Sequence, residues 1–79
     1  MIINHLSKKI YKLAVREFEA AREELFEMDG LKKEITYMLG RIYEQANKKD
    51  KALAEYSSIA ESDFNYRDVT KRLESLSSF

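Results

Sequence analysis

The chain has no cysteine, no proline and no tryptophan, only two glycines and one histidine. Without cysteine there is neither a disulfide framework nor a thiolate zinc site, which suits a reducing compartment. Without proline little in the chain interrupts a helix, and its abundant Leu, Ala, Glu and Lys favour one throughout. Net charge is absent too. Fourteen basic and fourteen acidic residues cancel, so neither nucleic acid nor a membrane surface is expected as a partner. Long apolar runs are also absent. The opening "MIINHLSKKIYKL" reaches three apolar residues before Asn4 and His5 interrupt, too few for a secretory core or a membrane span. A soluble, cytoplasmic protein is the expectation. Seventy-nine residues make a single domain, 1–79, near the size at which one core barely outweighs chain entropy.

What is present is helical periodicity. Leu6, Ile10, Leu13, Ala14, Phe18, Ala21, Leu25 and Met28 recur three or four apart, which predicts a first helix capped by Ser7 and stopped by "MDG". Gly30 is expected to end it in the left-handed conformation. A second helix from about Leu31 buries Leu31, Ile35, Met38, Leu39, Ile42, Tyr43 and Ala46. "NKKD" then turns the chain, with Asn47 tolerating a left-handed backbone and Asp50 capping a third helix. That helix turns Ala52, Leu53, Tyr56, Ile59 and Ala60 inward. "ESDFNY" breaks it, and a fourth carries Val69, Leu73 and Leu76 on one face. No alternating run of useful length remains, so the expected class is all-α, with about four helices in antiparallel hairpins.

The stretch "YMLGRIYEQANKKDKALAEY" adds a finer pattern. Leu39, Gly40 and Tyr43, followed by Ala52 and Tyr56, resemble the tetratricopeptide repeat, which reads W-x2-L-G-x2-Y and then A-x3-F. A small residue lets two helices cross closely, and the aromatic ring fills the space beside the crossing. The full repeat would run over 33–66. Ala14 and Phe18 copy the second half of the pattern, so the first helix resembles the closing helix of a preceding repeat. "NYRDVTKRLESL" resembles the opening helix of a following one, or an end cap. The resemblance therefore implies a right-handed array of half a repeat, one repeat and half a repeat. Thr36 stands where the family prefers Trp, Phe64 where it prefers Pro, and Asn47 where a turn Gly is usual.

Chemistry is sparse. His5 is alone, and no Gly-rich phosphate loop, nucleophile with a base, or zinc-ligand spacing is visible, so no enzyme activity, cofactor or metal is expected. The acidic set Glu17, Glu19, Glu23, Glu24, Glu27 and Asp29 mixes with Arg16 and Arg22, the pattern of a solvated helix face. Lys8, Lys9, Lys12 and Arg16 read as a solvated helix end, since no exposed aromatics are interleaved with them.

Binding remains. In the tetratricopeptide family, opening helices line a groove that takes a peptide or a partner's helix. The resemblance places Glu34, Tyr37, Arg41 and Gln45 of the second helix there, with Asp68, Lys71 and Arg72 of the fourth. Tyr37, Arg41, Gln45, Lys71 and Arg72 are the expected partner-binding residues. Arg41, Lys71 and Arg72 partly fit a carboxylate clamp, although the Asn residues of such clamps are absent. The expected function is a non-enzymatic protein–protein interaction module. The alternative is a structural element that self-associates or caps a longer array. Stable arrays need about three repeats, and this chain supplies about two, so an apolar stripe is left to cover. Ile10, Phe18, Leu25 and Phe26 are the expected self-association residues, in a homodimer through the first helices.

Overall fold

The computed structural model describes residues 8–27 and 29–77, with side chains from Ile10 onward. Four helices follow in order: α1 (Lys8–Glu23), α2 (Gly30–Gln45), α3 (Lys49–Ser62) and α4 (Val69–Ser77). No strand occurs among the described residues, and the fold is all-α as the periodicity predicts. Leu6, the Ser7 cap, His5, Met28 and the Lys8 and Lys9 side chains lie outside the described residues.

Polar and aromatic contacts give the helix directions. Tyr11, early in α1, packs edge-on against Tyr43, late in α2, with ring centroids 6.3 Å apart. Arg22, late in α1, reaches Thr36 on α2. The two helices are therefore antiparallel. Lys33 at the start of α2 pairs with Asp63 just beyond α3, so α2 and α3 are antiparallel as well. By contrast, Tyr37 meets Asp68 and Glu44 meets Arg72, which sets α4 alongside α2 in the same direction. Helices of alternate order thus run parallel to one another.

The turns differ in part from expectation. Asn47 does take a positive φ of 64° after α2. Lys48 N–H donates to Tyr43 C=O at 2.8 Å and Asn47 N–H to Glu44 C=O at 3.0 Å, the paired bonds of a Schellman motif. Asp50, however, sits inside the first turn of α3, because Lys48 is its N-cap. "MDG" begins a helix instead of ending one. Asp29 accepts a hydrogen bond from Lys32 N–H at 3.0 Å and caps α2, so Gly30 is its first residue and not left-handed. Helix α1 has already ended at Glu23, where Leu25 N–H turns back to Arg22 C=O.

The core is built mainly from α2 and α3. Leu39, Ala52, Tyr56, Ile59 and Val69 are wholly buried, joined by Ile35, Tyr37, Tyr43 and Leu76. Each large side chain removed from water there contributes about 1.5–3 kcal/mol before chain entropy is counted. Leu31 and Met38 are corrections. Thr36, Tyr37 and Gly40 face inward on α2, which rotates its buried arc and leaves Leu31 and Met38 outside. Leu53, Ala60 and Leu73 pack around the core edge.

At the α2–α3 crossing, Gly40 lies against the ring of Tyr56. Small size is needed here for approach: a Cβ on Gly40 would stand 2.5 Å from Tyr56 Cε1. The close partner is therefore Tyr56, one turn beyond Ala52.

Candidate functional site

Long polar side chains bridge the parallel α2 and α4 in one cluster. Tyr37 O–H donates to Asp68 Oδ1 at 2.6 Å. Arg72 donates through Nε to the Tyr37 oxygen at 3.1 Å and through Nη1 to Glu44 Oε1 at 2.8 Å. The same Glu44 oxygen accepts from the Tyr56 hydroxyl at 2.8 Å. Three helices are thereby stitched by one arginine, two phenols and two carboxylates. No buried side-chain nitrogen or oxygen among the described residues lacks a partner.

The electrostatics follow from this geometry. Burial, reinforced by the Glu44 carboxylate, pushes the Tyr56 phenol far above its usual range. The Tyr37 hydrogen bond, helped by the Arg72 charge, holds the Asp68 carboxyl below its usual range. Burial alone would lower the Arg72 guanidinium, but the Tyr37 hydroxyl and the Glu44 charge outweigh it and raise it. All these shifts lock the groups in the charge states that hold the helices together.

The cluster borders a shallow groove of about 240 Å3 lined by Glu44, Asp68, Lys71, Arg72 and Ser75. Of the residues expected to bind a partner, Gln45 and Lys71 are exposed and Arg41 is half-buried. Neither Arg41 nor Lys71 forms an ion pair among the described residues. Tyr37 is only 6% exposed, with its hydroxyl already engaged. Arg72 is not the exposed cation expected, since its side chain is 26% accessible and bound to Glu44 and Asp68. The carboxylates this arginine recognises are the chain's own.

Of the residues expected in self-association, Phe26 is 94% exposed and Ile10 57%. Leu13, beside Ile10, is exposed as well. Phe18 and Leu25 instead pack against the core as partly buried residues. Fewer of these residues face outward than the α1 stripe suggests.

Two clusters escape sequence reasoning. Arg22 donates to Glu55 and reaches Thr36 Oγ1 at 3.4 Å, tying α1 to both α2 and α3. Thr36 is wholly buried, and its hydroxyl is the atom that the arginine reaches. Half a turn earlier on α2, Glu34 accepts hydrogen bonds from Tyr66 O–H at 2.8 Å and Arg67 Nη2 at 2.5 Å. The Glu34 carboxyl is lowered by those bonds, with Tyr66 the larger influence. The only advance signal was Glu34 itself, placed on the groove side of the second helix.

Among the described residues, no group of three or more His, Asp or Glu side chains is arranged to hold a metal ion. No helix among them is long and apolar enough to cross a membrane. Comparisons with protein-family models, with curated proteins and with solved structures give no match to this chain.

Proposed function

We propose that the chain is a non-enzymatic protein–protein interaction module of tetratricopeptide-like design, binding a peptide or helix of a partner. The observation that carries this reading is the parallel direction of α2 and α4, bridged by the Tyr37–Asp68 and Glu44–Arg72 contacts. Parallel opening helices are how such repeats line a groove. The Gly40–Tyr56 contact supports the same reading, because close approach at that glycine is the reason for the motif. Lys71 lines the groove, and Arg41 and Gln45 lie outside its lining as further residues left to meet a partner. Arg72 forms part of its wall, and Tyr37 supports that arginine from within, because their polar groups are already satisfied within the chain.

A second reading, self-association, has its own observation. Ile10, Leu13 and Phe26 are exposed on a chain with a small core, and Phe26 at 94% exposure is a large apolar ring left for another surface to cover. A second copy meeting it about a two-fold axis would cover it.

One experiment separates them. The parent, an Arg41→Glu/Lys71→Glu variant and an Ile10→Ser/Phe26→Ser variant are compared for partner capture and for sedimentation over a hundredfold concentration range. Loss of capture in the charge-reversed variant alone supports the groove. Concentration-dependent association abolished in the serine variant alone supports the dimer. A parent that captures nothing and stays monomeric throughout overturns both.

A further inference from the structure

The turn between α3 and α4 holds an arginine in an unusual setting. Arg67 has a φ of 44°, in the left-handed region that residues other than glycine enter at a cost. Its guanidinium carbon lies 5.3 Å from the Tyr37 ring centre and 5.6 Å from that of Tyr66. Those rings meet edge-on, with centroids 6.2 Å apart. Glu34, itself held by the Tyr66 hydroxyl, supplies the carboxylate that accepts from Arg67. Two aromatic faces and one fixed carboxylate form the chemical set that recognises a planar cation.

We propose that Tyr37, Tyr66 and Glu34 form a receptor site for a guanidinium group, closed at rest by the chain's own Arg67, and that an arginine of a partner protein replaces it. The occupant is suited to exchange. Its side chain is half exposed, its ion pair with Glu34 faces water, and its backbone is strained. Entry has to be by replacement. Lys33 stands 5.8 Å from the Tyr66 ring centre and Arg72 the same distance from that of Tyr37, so another cation added beside Arg67 would be repelled. A groove of about 430 Å3, lined by Phe64, Arg67, Thr70 and Lys71 among others, adjoins the site on the Arg67 side, next to the residue a partner would displace. This inference rests on the interaction reading and names the chemistry of the partner.

The test uses Nα-acetyl-arginine methylamide as probe, with the lysine analogue as control, and follows the ring proton resonances of Tyr37 and Tyr66. Arg67→Gly empties the site while suiting the left-handed backbone. It is expected to bind the arginine probe saturably and roughly tenfold or more tighter than the parent, because the competing closed state is removed. Adding Glu34→Gln is expected to abolish that response. A folded Arg67→Gly chain with no saturable shift, or one that answers equally to the lysine analogue, overturns the proposal. Should Arg67→Gly fail to fold, the parent decides: saturable shifts at higher probe concentration support the site, and their absence overturns it. Failure here is distinct from failure of the interaction reading, whose variants leave Arg67, Tyr66 and Glu34 in place.

Discussion

Gly40 and Tyr56 are a matched pair: the phenol ring occupies the space that any side chain at residue 40 would need, with Cε1 and Cζ 2.5 and 2.7 Å from a Cβ placed there. The same ring sends its hydroxyl to Glu44, so moving it disturbs the polar cluster as well. Gly40→Ala is expected to destabilise by about 1–3 kcal/mol despite alanine's higher helix propensity. Urea unfolding measures it. In a Tyr56→Ala background the same change should be neutral or stabilising, and a double-mutant cycle without coupling would refute the pairing.

Arg22 serves two helices at once, so its loss should show in stability. Removing it leaves Glu55, whose side chain is 14% exposed, without its cation, and Thr36 without its long-range partner. Arg22→Met is expected to cost about 1–3 kcal/mol, with part of it recovered when Glu55→Gln removes the unpaired charge. Equal stability of Arg22→Met and the parent in chemical denaturation would mean that the Arg22 contacts do not hold α1 in place.

The helix count and most of the buried positions were legible, because apolar spacing reports which side of a helix meets the core. Leu39, Tyr43, Ala52, Tyr56, Ile59, Val69 and Leu76 all lie where periodicity puts them. The face of α2 was read slightly rotated, because Thr36 and Gly40 are small or polar and carry no apolar signal although both are buried. "MDG" was ambiguous for a related reason: Asp before Gly serves to start a helix as well as to follow one. The groove residues were harder still. Whether Arg72 is free or paired depends on Glu44, twenty-eight residues away in sequence, and local spacing does not encode that meeting.

Asn47 provides a local test of the α2–α3 turn. Its φ of 64° suits glycine or asparagine, and its N–H closes one of the Schellman bonds. Asn47→Gly is expected to change stability by no more than about 0.5–1 kcal/mol, whereas Asn47→Val should cost about 1–2 kcal/mol through left-handed strain. Thermal unfolding of the two variants decides it, and equal melting temperatures would be inconsistent with the turn described.

Alkaline pH should open the core. The Tyr43 phenol is pushed up to about 12, chiefly by burial and then by Glu19, and Tyr56 is raised further. A folded-state pKa above the unfolded value of about 10 means that the native state holds its proton more tightly in this range. The stabilisation is therefore complete below about pH 10 and declines as pH rises towards 12 and beyond. Phenolate absorbance and helical circular dichroism followed together should show a late, cooperative ionisation step coincident with unfolding. Tyr43 and Tyr56 ionising as ordinary phenols before any helix is lost would contradict it.

Self-association gives the last prediction, and it turns on which apolar residues of the first segment face outward. Phe18 and Leu25 support the core, so replacing them would test stability and association together. Phe26 is different: with 94% of its surface exposed, it has little packing to lose in the monomer. Phe26→Ser should leave the unfolding free energy within about 0.5 kcal/mol of the parent. If a second copy covers this side, burying the ring across the contact stabilises the dimer by about 1.5–3 kcal/mol per phenylalanine at full burial. A two-fold dimer buries it twice, so the dissociation constant should rise by roughly two orders of magnitude or more in the variant. Sedimentation of parent and variant over the same concentration range reads that difference. A parent that self-associates with an unchanged constant after Phe26→Ser would move the contact to Ile10 and Leu13, and a strictly monomeric parent would leave this surface to a different protein.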